Sequence, residues 1–231
     1  MVELPGKQYS VIYADPPWEY KLSGGTKSSR GMAKQHYSTM MTKEICAMPI
    51  RSICAEDGAI CFMWATFPNI EEAIKVMEAW GFRYITAAFV WIKKNRKNGG
   101  NFWGMGAYTR ANAEVCLLGV SKGFKASKMI RAHNVHQIIE APVKGHSKKP
   151  DEVRRRIVQL VGDVPRIELF ARERADGWDA WGDECPGMNT EEEATTEWRA
   201  KEAGKEAAGP RIATGARATP APTASSSSLG T

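Results

Sequence analysis

The tetrapeptide Asp15-Pro16-Pro17-Trp18 joins an acid, two imino acids and an indole without a spacer. Proline locks its own backbone angle, lacks an N–H donor and biases the residue before it away from helical angles. The result is a stiff corner rich in acceptors: the Asp15 carboxylate and backbone carbonyls that no neighbouring N–H satisfies. Such a corner suits the exocyclic amine of a nucleobase, a poor nucleophile because its lone pair is delocalised into the ring. Two acceptors on the amine's N–H bonds, Asp15 and the Pro16 carbonyl, favour the geometry in which that lone pair meets an electrophile. Alignment and fixed dipoles then supply much of the rate. Trp18 offers a flat face for a base, and a target inside a duplex must first be turned out of the stack. A strand-ending turn with a buried tryptophan is the plainer alternative for the same residues.

The elements that must position this corner follow from pattern. Val11 to Ala14 is a short β-forming run that the prolines terminate, so Asp15 falls beyond the carboxyl end of a strand. In open α/β sheets ligands bind at that end. Glu19 to Gln35 reads as a Gly/Ser/Lys-rich mobile loop and Thr42 to Met48 as a short helix. Ala59 to Ala65 reads as a buried strand. A helix opens at Asn69 as its cap, carries Ile70, Ile74, Met77 and Trp80 on one stripe, and ends at Gly81. Strands follow at Tyr84 to Ile92, Glu114 to Val120 and, more weakly, Gln137 to Val143. Pro150-Asp151-Glu152 opens a helix with Val153, Ile157, Leu160 and Val161 on one face, before a last strand at Ile167 to Ala171. The expected fold is α/β: a mostly parallel sheet covered by helices on both faces.

The charge is uneven. Between Lys93 and Arg131 nine basic residues face one acid, Glu114, a surplus of eight against +6 for the whole chain of 231 residues. Phe102, Trp103 and Tyr108 interleave with that charge on a Gly-rich segment, as a polyanion with stackable bases requires. A merely solvated, solubilising loop is the competing reading. The five cysteines form no C-x-x-C pair and sit among apolar residues, which points to buried thiols in a reducing, cytoplasmic compartment. No metal is expected, because His133 and His136 lack companion ligands. No apolar run reaches membrane length, and the first ten residues do not read as a secretion signal. Residues 186–231, rich in Ala, Gly, Pro, Thr and Ser, read as a disordered tail behind a domain at 1–185.

Taken in order, Asp15-Pro16-Pro17-Trp18, Tyr37-Ser38-Thr39-Met40, Trp64, Trp80-Gly81-Phe82 through Trp91-Ile92-Lys93, Glu114-Val115-Cys116-Leu117-Leu118-Gly119, Lys149-Pro150-Asp151-Glu152 and Arg166 through Arg172 resemble the MT-A class of S-adenosylmethionine-dependent adenine-N6 methyltransferases. The class contains the catalytic subunit of the messenger-RNA adenosine methyltransferase and many bacterial and phage DNA enzymes. The resemblance covers about residues 9 to 185. It implies a Rossmann-like methyltransferase fold with permuted motif order, the catalytic tetrapeptide preceding the cofactor-binding strand. It also implies S-adenosylmethionine as cofactor and nucleic acid, DNA before RNA, as partner.

Carried over by motif, Asp15, Pro16, Pro17 and Trp18 are the catalytic segment. Asp15, Pro16, Lys149, Glu168, Leu169, Arg172, Asp183 and Glu184 border the cofactor. Trp18, Tyr37, Tyr108, Arg110, Asn112 and Glu114 lie on the substrate side. A cation before a helix N-terminus, such as Lys149, suits a carboxylate, although a surface lysine is the commoner fate of a Lys-Lys-Pro. Glu114 either reads a base edge, orients Lys149 or serves as a counter-charge. Only fourteen residues precede Asp15, so residues after Arg172 are expected to supply the adenine contact that longer members draw from upstream. The competing functions are RNA adenosine methylation, a noncatalytic nucleic-acid-binding partner of the same fold, and small-molecule methylation.

Overall fold

A computed structural model describes residues 3–19, 39–106, 108–145, 148–183 and 185, all within the unit Met1–Met188. The segment expected to be a tail, most of the Glu19 to Gln35 segment, Tyr37 and Glu184 lie outside the described residues.

Seven strands form one sheet: β1 (Val11–Ala14), β2 (Ile60–Ala65), β3 (Phe82–Lys94), β4 (Ala113–Ser121), β5 (Ile138–Pro142), β6 (Arg166–Leu169) and β7 (Asp179–Trp181). Their order is β5-β3-β4-β2-β1-β6-β7. Every pairing is parallel except the two made by β4, which runs against β2 and β3. The mostly parallel α/β architecture is therefore as expected, with one reversed strand. β1 is buried throughout and lies between β2 and β6, where the chain's path across the sheet changes direction.

Alternation along the strands sorts the side chains into two cores. Ile12, Ala14, Cys61, Met63 and Ala65 face α1 (Thr42–Cys46) and α2 (Ile70–Ala79), which contribute Ile45, Ala73, Val76 and Met77. Val11, Tyr13, Ile60, Phe62 and Trp64 face α3 (Glu152–Val161), which contributes Val153, Ile157 and Val161 at a spacing of four. The aromatic stripes Phe62/Trp64 and Phe89/Trp91 belong to this second core, with Phe62 stacked on Phe89 at 6.2 Å. Buried indoles find partners, as burial demands: Trp80 donates to the Ile45 carbonyl at 2.8 Å and Trp91 to the Ala141 carbonyl at 2.9 Å.

Three local readings change. The buried stripe of α2 is Ala73, Val76 and Met77 continued by Trp80, while Ile70 and Ile74 are only partly buried. Asn69 stands at the N-cap of α2 but makes no side-chain cap hydrogen bond. β6 ends at Leu169 because Phe170 enters the left-handed region at φ 60°, and the three-residue strand β7, too short to carry a periodic signal, closes that edge.

Candidate active site

Asp15 leaves the carboxyl end of β1, as the proline pair dictates, and continues the face of Tyr13 toward α3. The acceptor corner is built but is not unpaired. The Pro16 carbonyl accepts the Trp18 N–H at 2.9 Å, a tight turn across Pro17, and the Pro17 carbonyl accepts the Met40 N–H at 2.9 Å. A carbonyl oxygen has two lone pairs, so Pro16 keeps one for a second donor. Trp18 crosses to the other side of the sheet. It is 7% exposed, packs with the α1/α2 core, and donates its indole N–H to the Trp64 carbonyl at 3.0 Å.

The reversed strand brings the other charges to Asp15. β4 begins where β1, β2 and β3 end, so Glu114, its second residue, sits at the same end of the sheet as Asp15. Lys149, just before α3, reaches in between. Its Nζ is 2.8 Å from Asp15 Oδ2 and 3.3 Å from Glu114 Oε2, and lies 5.7 Å from the centre of the Trp64 ring. Glu114 Oε1 accepts in turn from Lys93 Nζ at 2.5 Å, at the far end of β3. The order Asp15, Lys149, Glu114, Lys93 alternates in sign and sums to zero. Burial works against the charge on Glu114, but Lys149 and Lys93 outweigh it and hold the carboxyl below its usual range. Burial likewise opposes the Lys149 ammonium, and Asp15 and Glu114 more than offset it, raising its pKa. Lys149 is a buried bridging cation, not a surface lysine, and the bridge fixes one oxygen of Asp15.

Beside this network a cleft of about 190 Å³ is lined by Asp15, Lys149, Arg154, Glu168, Phe170 and Arg172, together with Gly145, Lys148 and Glu173. Glu168 is 9% exposed and is gripped by Arg154 through bonds of 2.6 and 3.2 Å. Burial pushes the Glu168 carboxyl up and Arg154 pulls it only part of the way back. Phe170 holds its left-handed backbone on the cleft wall, its ring edge-on to Trp181 at 5.6 Å. Backbone held in such a region costs about 1–3 kcal/mol and gathers at functional sites.

A family model, MT-A70, matches residues 9–184. The chain belongs to the MT-A70 family. The Type II methyltransferase M.MunI of Mycoplasma sp. is 36% identical over 203 residues, covering 82% of this chain and 83% of that protein. The probable N(6)-adenosine-methyltransferase MT-A70-like protein of Oryza sativa subsp. japonica is 26% identical over 189 residues, 80% of this chain and 24% of that protein. The human N(6)-adenosine-methyltransferase catalytic subunit METTL3 is 26% identical over 194 residues, 81% of this chain and 30% of that protein. The chain thus spans most of the bacterial relative and under a third of the rice and human ones.

Within the MT-A70 frame the structure sorts the expected site residues. Asp15, Lys149, Glu168 and Arg172 share one cleft. Glu114 joins them through Lys149. Leu169 does not open onto the cleft: its side chain is fully buried in the core and its carbonyl meets the Asp15 N–H at 3.5 Å, so it supports the corner from behind. Asp183 is exposed two residues past β7 and is not among the cleft's lining residues. Tyr108 is fully exposed, and Arg110 stacks 4.8 Å over the exposed Trp103. Asn112 accepts the Lys93 N–H through its backbone at 2.8 Å. Two residues were missed. Arg154 is signalled only by its place two turns before the end of α3, and Lys93 looked like one basic residue among nine until pairing of Trp91 with Glu114 set it beside that acid. Among the described residues no group of three His, Cys, Asp or Glu side chains is arranged to hold a metal ion.

Proposed function

We propose that this protein transfers a methyl group from S-adenosylmethionine to the N6 amine of adenine in DNA. The observation that carries the proposal is Asp15: a carboxylate fixed at the end of β1, one oxygen held by Lys149, on the wall of a cleft that contains both signs of charge. The donor set fits the cofactor, whose amino-acid end has a carboxylate and an ammonium and whose ribose has hydroxyls. Lys148 and Arg172 suit the first, and Glu168 and Glu173 suit the other two. Arg154 occupies only part of the roughly four lone-pair sites of Glu168. When bound, S-adenosylmethionine supplies an electrophilic methyl group.

The chain supplies orientation and charge. The free oxygen of Asp15 and the second lone pair of Pro16 accept the two amine hydrogens and draw the nitrogen lone pair out of conjugation with the ring. As the nitrogen becomes positive, the Asp15 carboxylate stabilises it, and the methylated nitrogen then sheds its surplus proton to solvent. Lys149 keeps that carboxylate from swinging to solvent. DNA is preferred to RNA because the Type II methyltransferase relative is spanned nearly end to end, whereas the adenosine methyltransferases are matched over less than a third of their length. Five free thiols fit a reducing cytoplasm, and among the described residues no helix is long and apolar enough to cross a membrane.

The test incubates the protein with labelled S-adenosylmethionine and duplex DNA, single-stranded DNA and single-stranded RNA, then maps the modified base. Label on adenine N6 in DNA is expected. Label confined to RNA, or none on any of the three together with no saturable cofactor binding, would overturn the proposal.

A further inference from the structure

The three most exposed large apolar side chains among the described residues are Trp103 at 71%, Met105 at 84% and Tyr108, fully exposed, all within six residues of one another. Phe67, at 54%, comes next and lies elsewhere. Single apolar residues on a surface need no explanation, but a group of the largest ones marks a place of interaction.

The chain between β3 and β4 is built to present them. Its root is pinned on both sides of Lys93, whose N–H donates to the Asn112 carbonyl at 2.8 Å and whose carbonyl accepts the Phe102 N–H at 2.8 Å. Beyond the root two arms run against each other with no room between them. A Cβ on Gly104 would overlap the Ala111 carbonyl, and one on Gly106 the Thr109 carbonyl. A step of two along one arm thus matches a step of two back along the other, and glycine permits the approach at both points. Arg110 on the returning arm stacks 4.8 Å over the Trp103 ring on the outgoing one. The result is a narrow finger with Met105 and Tyr108 toward its tip.

Place and charge narrow what it enters. The finger rises from the end of the sheet that carries Asp15: Asn112 is two residues before Glu114, which reaches Asp15 through Lys149. No acid occurs between Lys94 and Asn112, and four bases, Lys94, Arg96, Lys97 and Arg110, flank the apolar tip. Such a tip complements a body that is anionic outside and apolar within, and a duplex, with phosphates outside and stacked bases inside, is one. From Trp103 to Tyr108 the chain can extend about 17 Å, roughly twice the 8.5 Å depth of a major groove that is wide enough for a two-stranded ribbon. A base that is methylated in a duplex must leave the stack, and an apolar side chain can wedge into the step it leaves.

Resting on the function proposed above, we propose that this finger enters duplex DNA at the target pair and that Met105 and Tyr108 fill the gap left when the adenine turns out toward Asp15. The site then has two parts. The corner at Asp15 and Pro16 holds the extruded base, and the finger keeps the helix from closing behind it.

The test compares single-turnover methylation of one target sequence in three forms: duplex, single strand, and duplex with an abasic site opposite the adenine, where no pair has to break. Met105→Ser combined with Tyr108→Ser should lower the ratio of duplex to single-strand rate about tenfold or more, and the abasic duplex should recover most of that loss. Both side chains are exposed, so circular dichroism should match wild type. A ratio within about twofold of wild type would overturn the inference, because equal losses describe a surface that only holds nucleic acid. A second measurement places 2-aminopurine, which brightens when it leaves the stack, at the target position of the duplex. Wild type should raise its emission severalfold on binding; no rise, or an equal rise with the double variant, would overturn the inference. Finger-dependent sedimentation with vesicles of anionic phospholipid, with the duplex ratio unmoved, would assign the finger to a membrane and overturn it too. A wild-type protein that methylates no nucleic acid would sink the proposed function, whereas methylation with a duplex ratio indifferent to the finger sinks this inference alone.

Discussion

Replacing Lys149 by methionine, close in length but uncharged, removes the cation that touches both Asp15 and Glu114. Glu114 then lies 7% exposed with Lys93 as its remaining partner, and Asp15, with a fifth of its side chain exposed, relaxes partly into water. Breaking a fully buried pair costs about 3–5 kcal/mol. The partial exposure of Asp15 argues for the lower end, about 3 kcal/mol at neutral pH, or roughly 6–12 °C in Tm at about 2–4 °C per kcal/mol for a body of this size. The sign with pH follows from Glu114. Its carboxyl lies below the ordinary value of 4.5 in the folded protein, so the pair's stabilisation is full above that value and is lost as pH falls through the lowered one. In Lys149→Met two carboxylates face each other, one of them takes up a proton more readily, and the penalty shrinks with acid. Thermal and urea unfolding of both proteins at pH 8, 6.5 and 5 measure it. Adding Glu114→Gln removes the stranded charge and should recover about half of the loss. A Tm within 2 °C of wild type, a penalty independent of pH, or no recovery in the double variant would refute the reasoning, each as an estimate set by the same pair energetics.

Asp15→Ala should lower methyl transfer about 10²–10³-fold, the loss typical of a stabilising group at a reacting centre, while circular dichroism stays unchanged; transfer within tenfold of wild type would refute its role. Arg154→Met strands Glu168, whose carboxyl burial already pushes up. A carboxyl raised in the folded state loses stabilisation as pH rises through its folded value, so the variant should be about 3 kcal/mol less stable at pH 8 and distinctly less affected at pH 5, and equal penalties in urea unfolding at both pH values would count against it. Arg110→Ala should lower the slope of log affinity against log salt for duplex DNA by about one. Trp103→Ala should weaken binding by about 1–3 kcal/mol with the slope unchanged, and fluorescence anisotropy across a salt series separates the two.

Legibility in the sequence tracked how local the determining physics is. β1 and its termination by Pro16 are a run of four apolar residues and a residue type that cannot continue the strand, so Asp15 was placed from sequence alone. The face of α3 came from a spacing of four. What stayed hidden depends on contacts far apart in the chain. Lys149 is 134 residues from Asp15, and its burial comes from the Trp64 ring and two acids, one just past β1 and one on β4. The Pro16 carbonyl looked unpaired because its partner is the N–H of Trp18, set by a turn geometry that composition does not specify. Asn69 looked like an ordinary cap because residue type predicts the bond but not the backbone geometry, here φ −103° and ψ 10°, that decides whether it forms.

The reversal of β4 explains why one acid in a basic stretch can belong to the site at all. A strand of nine residues spans about 27 Å at 3.3–3.4 Å per residue. Were β4 parallel to its neighbours, Glu114 would lie that far from Asp15, at the opposite end of the sheet. Running against β2 and β3, it starts where they finish, and Glu114 meets Lys93 and Lys149 at once. The same end receives α3's leading loop on one face and the start of α2 on the other. Asp15 points to the first and Trp18 to the second. A single stiff turn at the central strand therefore separates two clefts, one on each face of the sheet, and its two prolines fix the distance between the Asp15 carboxylate and the Trp18 ring.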